Sequence, residues 1–189
     1  LRVPKGGLVA IIGPIGSGKT SLLEAIMGEM RVESGRVLVS PSTSAEHQDV
    51  AYCAQHAWIK NATVRENIVF GLPYEDERYK RAVRDACLGE DIAGLRWGDE
   101  TVVGERGATL SGGQRQRLGL ARAYYAGAPV LLLDDPLSAV DASVAQQLFR
   151  SLRAMNDRTR ILATHTLSVL PEVDLVIVME EHTASSEAG

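Results

Sequence analysis

Eight residues, Gly13-Pro14-Ile15-Gly16-Ser17-Gly18-Lys19-Thr20, carry the most legible chemistry in this chain. They fit G-x-x-x-x-G-K-[ST], and Ser21 follows them. Glycines let a backbone wrap phosphate groups closely enough for successive N–H groups to donate to the oxygens. Lys19 would place a point charge on β- and γ-phosphates, and Thr20 would offer its hydroxyl to Mg²⁺. Far along the chain, the apolar run Val130-Leu131-Leu132-Leu133 ends in Asp134-Asp135. A buried strand of this kind delivers a carboxylate to its C-terminal end, where ligands bind in open α/β sheets. Asp134 is expected to hold Mg²⁺ through water, and Asp135 stands where a carboxylate would polarise an attacking water. Together these residues describe a site for a nucleoside triphosphate and its metal.

Such a site needs strands to aim it. Leu8–Ile12 is a short, wholly apolar run of the kind buried in a parallel sheet, and Gly13–Gly18 breaks it. Ser17–Met27 then reads as a helix with Leu22, Leu23 and Ile26 inward. Val37–Val39 alternates like a strand, Pro41–Asp49 is a polar loop, and Val50–Ala54 resumes strand character. Beyond Asn61 the texture changes. Thr63–Ile68 and Asp76–Cys87 have the charge spacing of short amphipathic helices, and Gly112–Ala126 reads as a longer one. Strand Val130–Asp134, helix Ala142–Met155, strand Arg160–Thr164, a turn near Ser168–Pro171 and strand Leu175–Met179 follow. Strand–helix alternation on both flanks of a helical insert argues an α/β fold with a largely parallel sheet flanked by helices. The expected division is a core of 1–60 and 127–180, a helical subdomain of about 61–126, and a frayed tail, 181–189.

Composition narrows the partners. The 189 residues are 45% hydrophobic and 23% charged, with a formal net charge of −4, which suits one globular domain. No basic stripe is present, which counts against nucleic acid as a partner. Cys53 and Cys87 lack CxxC spacing and read as reduced structural thiols. No apolar run approaches the roughly 18 residues that span a bilayer, so the piece is expected to be soluble. It begins at Leu1 without an initiator Met or a signal-peptide pattern, as a fragment of something longer would.

Between the two phosphate-site elements lies Leu110-Ser111-Gly112-Gly113-Gln114. That placement resembles the signature of ATP-binding cassette (ABC) domains, and the resemblance covers nearly the whole chain. It implies a P-loop NTPase fold with an inserted α-helical signature subdomain, ATP and Mg²⁺ as cofactors, and a head-to-tail dimer with a second nucleotide-binding domain. In that dimer Leu110–Gln114 would bind the partner's ATP. Gln55 resembles the Q-loop glutamine, which touches Mg²⁺ and water. Ser138-Ala139-Val140-Asp141 resembles the D-loop at the dimer interface. His165 resembles the switch histidine at the γ-phosphate. A lone histidine is more often an unremarkable residue, but its strand-end position, the following Thr166 and its spacing from Asp134 favour the switch role. Nothing in the chain answers to the family's N-terminal antiparallel β-segment or its adenine-stacking aromatic, which are therefore expected to be missing.

The wording between motifs is narrower still. Ala54-Gln55-His56-Ala57-Trp58-Ile59-Lys60-Asn61, Val64-Arg65-Glu66-Asn67-Ile68, Val103-Gly104-Glu105-Arg106-Gly107 and Asp134 to Asp141 resemble the first nucleotide-binding domain of subfamily C exporters, the multidrug-resistance-associated proteins and their relatives. This implies attachment to transmembrane domains at the cytoplasmic face of a membrane. Trp58 reads equally as a core aromatic or as part of the groove receiving a transmembrane coupling helix. Surface or internal ion-pairing roles are expected for most of Arg115, Arg117 and Arg122. One departure matters: most ABC ATPases carry Glu where this chain has Asp135, one methylene shorter, so low turnover at its own site is expected. Three readings stand: an ATP-hydrolysing transport domain, a regulatory ATP-binding module, and a soluble ABC protein. The 54 residues between Gln55 and Leu110, without sustained heptads, count against the coiled-coil heads of DNA repair.

Overall fold

A computed structural model describes residues 1–39, 49–105 and 108–180. The elements, in order, are β1 (Leu8–Ile12), α1 (Lys19–Met27), β2 (Val50–Cys53), β3 (Ala62–Thr63), α2 (Val64–Val69), α3 (Asp76–Asp85), α4 (Gly89–Ala93), β4 (Val102–Val103), α5 (Gly112–Ala126), β5 (Val130–Asp134), α6 (Ala142–Ala154), β6 (Thr159–Ala163) and β7 (Leu175–Val178), with 3-10 turns at Gly98–Glu100 and Leu167–Glu172. The tail, parts of the Pro41–Asp49 loop, and Arg106 and Gly107 lie outside the described residues.

The main sheet is five-stranded and parallel throughout, in the order β2-β5-β6-β1-β7. The apolar runs of β1 and β5 are buried on two faces, whereas edge strand β7 leaves Val176 and Val178 exposed. Ala51, Cys53, Leu131, Leu133 and Leu162 face a large core shared with α2, α3, α5 and α6. Their alternates Tyr52, Leu132, Ile161 and Ala163, with Ile11, face a smaller core under Leu23 of α1. Because every strand runs the same way, the ends of β1, β2, β5 and β6 all reach one sheet edge. Gly13, Gln55, Asp134 and His165 are at or just beyond those ends.

Two sequence expectations change. Residues 37–39 form no strand; Leu38 is 78% exposed, and no described neighbour offers backbone groups to pair with. The first helix starts at Lys19, because Gly16 and Gly18 hold left-handed φ values of 85° and 88°. Strands β3 and β4, which pair antiparallel, and the short α4 carry too little periodicity to be read in advance.

Candidate nucleotide-binding site

The loop between β1 and α1 closes on itself. Lys19, largely buried, folds its ammonium back to donate to the carbonyls of Gly13 and Pro14, at 2.8 and 2.7 Å. A side chain at position 13 would put its Cβ 2.4 Å from the Met179 carbonyl oxygen, so only glycine fits there. Across 114 residues of sequence, the Thr20 hydroxyl donates to Asp134 Oδ2 at 2.7 Å. The structure therefore brings Lys19, Thr20 and Asp134 to one place, with Ser21 exposed one residue on.

Asp135 sits against this site. Its N–H donates to the Ala163 carbonyl at 2.8 Å, continuing the β5–β6 ladder. Its φ of 47° lies in the left-handed region that Asp tolerates better than most residues. It is 6% exposed, and its Oδ1 has no hydrogen-bond partner among the described residues; buried Ser17 Oγ is alike in this. A phosphate and its ordered waters would satisfy both atoms, so the residues fit the ligand that the loop chemistry calls for. Among the described residues no three His, Cys, Asp or Glu side chains cluster as a metal cage. Thr20 and Asp134 offer the one or two protein oxygens with which Mg²⁺ is commonly held beside phosphate oxygens and water. His165 and Gln55 are exposed on the same edge.

The segment Leu110–Gln114 is built as a capping box. The Gln114 N–H donates to Ser111 Oγ at 3.2 Å, and the Ser111 N–H donates to Gln114 Oε1 at 2.8 Å. Gln114 Nε2 donates to Asp91 Oδ1 at 3.2 Å, and Arg117 binds the same carboxylate through two nitrogens at 2.8 and 2.9 Å. Asp91 was not singled out by sequence; a lone acid on a five-residue helix gives no signal. Ala139 and Val140 pack against Gly113, so the 138–141 segment touches the start of α5. Ser138 Oγ donates to the Asp135 carbonyl at 2.9 Å, and Asp141 caps α6 by accepting the Ser143 and Val144 N–H groups. The bond from Val144 leads the causes that hold the Asp141 carboxyl below its usual range.

Residues 1–138 match the family described as ABC transporter. The chain belongs to the ABC transporter family. It is 46% identical to ATP-binding cassette sub-family C member 3 of Rattus norvegicus over 96% of its length, 48% identical to multidrug resistance protein fer6 of Mycosarcoma maydis over 96%, and 45% identical to ABC transporter C family member 13 of Oryza sativa over 96%. It spans only 12–13% of those relatives' own length.

Two further parts of this ABC domain gain definition. Trp58 is 64% exposed and meets Phe70 edge-on, ring centroids 6.1 Å apart, so it is not a core aromatic. With Lys60, Arg65, Phe70 and Tyr74 it lines a surface groove of about 690 Å³. Of the three arginines after the signature, Arg115 is exposed and Arg117 pairs internally with Asp91. Arg122 instead donates to the Trp58 and Asn67 carbonyls, both at 2.8 Å, and stacks on the Phe70 ring at 4.3 Å. Burial lowers its pKa from the usual guanidinium value.

Proposed function

We propose that this domain binds Mg-ATP at the β1–α1 loop and hydrolyses it slowly as part of an ABC exporter. In this reading Leu110–Gln114 serves the ATP of a second nucleotide-binding domain. The observation that carries the nucleotide assignment is the Thr20–Asp134 contact beside Lys19, since it joins phosphate-binding and metal-orienting groups from distant parts of the chain. Lys19 exchanges two neutral carbonyl acceptors for phosphate oxygens when the triphosphate enters, and charge-assisted bonds are about twice as strong. Gly16, Ser17, Gly18 and the first turn of α1 present N–H groups to the phosphates at a helix N-terminus. Thr20 and Asp134 would hold Mg²⁺, with Gln55 at the neighbouring strand end, and the ion would supply positive charge for phosphoryl transfer.

Asp135 accepts a hydrogen bond from the attacking water, and His165 contacts the γ-phosphate. The Asp135 backbone is pinned by its bond to Ala163, so the shorter side chain cannot be compensated by a shift of the main chain. That supports a site better suited to holding ATP than to cleaving it, and it equally favours the regulatory reading for this half of the machine. ATP binding would close a head-to-tail dimer with the 138–141 segment at its interface. Closure would move transmembrane domains whose coupling helix sits in the Trp58–Phe70 groove, at the cytoplasmic face of the membrane. No described helix is long and apolar enough to cross a membrane; in this reading the transmembrane domains lie elsewhere in the protein.

The test is Asp135→Glu in the full-length protein, read by single-turnover hydrolysis at this site. A misplacement of about 1 Å can cost a catalytic group about 100-fold, so a rise approaching that factor is expected. An unchanged rate would sink the claim that Asp135 limits turnover.

A further inference from the structure

Tyr52 is not part of any phosphate or metal motif, yet it reaches the carboxylate at the centre of the site. In the β2–β5 pairing Tyr52 lies opposite Leu132, so Asp134 is its diagonal neighbour two residues on. Both side chains project to the α1 side of the sheet, the side on which Tyr52 packs against the smaller core. The Tyr52 hydroxyl donates to Asp134 Oδ2 at 3.3 Å, the oxygen that also accepts the Thr20 hydroxyl at 2.7 Å. Asp134 itself is only 5% exposed.

We infer that Tyr52 is a positioning residue for Mg²⁺, acting through Asp134 rather than touching the metal. The inference rests on the reading of Thr20 and Asp134 as the metal-holding pair. If the Thr20 hydroxyl turns to the metal, as that reading requires, it ceases to orient Asp134. The donor from β2 is then left to fix the carboxylate's rotation. Partners in the outer shell of a metal site typically control about 10- to 100-fold in metal affinity.

Tyr52→Phe removes the hydroxyl and keeps the ring in its packing. The experiment titrates Mg²⁺ into the full chain with a fluorescent, non-hydrolysable ATP analogue, alongside the same analogue without metal. Unliganded melting of both proteins checks that the variant is folded. The expected result is an Mg²⁺ requirement raised about tenfold, with metal-free analogue binding unchanged. An Mg²⁺ midpoint within twofold of wild type overturns the inference. So does an equal weakening with and without metal, which would mark a packing role. Absence of any Mg²⁺ dependence in the wild-type chain would instead overturn the Thr20–Asp134 reading, and this inference with it.

Discussion

Gly112 and Gly113 occupy the same first turn of α5, and the space around them separates two reasons for a glycine. A Cβ at Gly112 meets nothing within 4 Å. A Cβ at Gly113 would lie 2.9 Å from the Ala139 carbonyl oxygen and 3.3 Å from Nη1 of Arg117, whose Nε and Nη2 hold the guanidinium to Asp91. Alanine at either position should gain about 0.4–1 kcal/mol by restricting the unfolded chain, because neither glycine has a positive φ. That gain is common to both variants and cancels in their difference. What remains is the cost of overpacking backbone against backbone, about 1–3 kcal/mol. Gly112→Ala should therefore raise stability slightly, and Gly113→Ala should lie about 1–3 kcal/mol below it. Urea unfolding of the full chain, followed by circular dichroism, reads this directly. If the two midpoints coincide at equal slope, the packing of the 138–141 segment on the signature turn is wrong. Should Gly112→Ala also abolish stimulation of the partner domain in the full-length protein, Gly112 is kept for ligand access and Gly113 for packing.

Asn67 is fully buried and holds the exit of the Gln55 segment: its amide donates to the Lys60 and Thr63 carbonyls, and its Oδ1 accepts from the Lys60 N–H and Arg122. Asn67→Ala strands several of these groups at about 1–3 kcal/mol each, incompletely additive. A loss near 3 kcal/mol in urea unfolding is expected, and one below about 1 kcal/mol would contradict the network. Burial pushes the Cys53 thiol from 9.0 up to about 12, so the folded chain keeps a proton that the unfolded chain releases. Stability from this group is intact below pH 9 and declines as pH rises from there toward about 12. Cys53→Ala should reduce the slope of stability against pH by close to one proton between about pH 10 and 11; equal slopes would refute the assignment.

Much of the fold was legible because its signals were strong and local. The bounds of α5 and β5 coincide with the sequence reading, one fixed by Ser111 and Gly127, the other by an unbroken apolar run ending in an acid. The edge that gathers Gly13, Gln55, Asp134 and His165 follows from parallel strands alone. Residues 37–39 misled because alternation over three residues carries no information about a partner strand. Asp91 and Tyr52 were invisible for a different reason. Each matters through a contact across 26 or 82 residues, and nothing in its own neighbourhood marks it. Surface or ion-pairing roles suit Arg115 and Arg117, but the hydrogen bonds of Arg122 run to carbonyls and to the Asn67 amide oxygen, which leave no charge pattern in a sequence.

Gly119 lets α5 approach residue 57 so closely that an added Cβ would lie 2.5 Å from the Ala57 methyl. Arg122, one turn on, grips the neighbouring Trp58 carbonyl from the same helix. The helix is thus keyed, like a lever at its pivot, to the segment beside the Trp58–Phe70 groove. At 1.5 Å per residue, Gly112 lies about 10 Å along the rod from Gly119. The contact leaves no room even for a methyl group, so a displacement of residue 57 is expected to be passed to α5, which carries Ser111 and Gly112 at its other end.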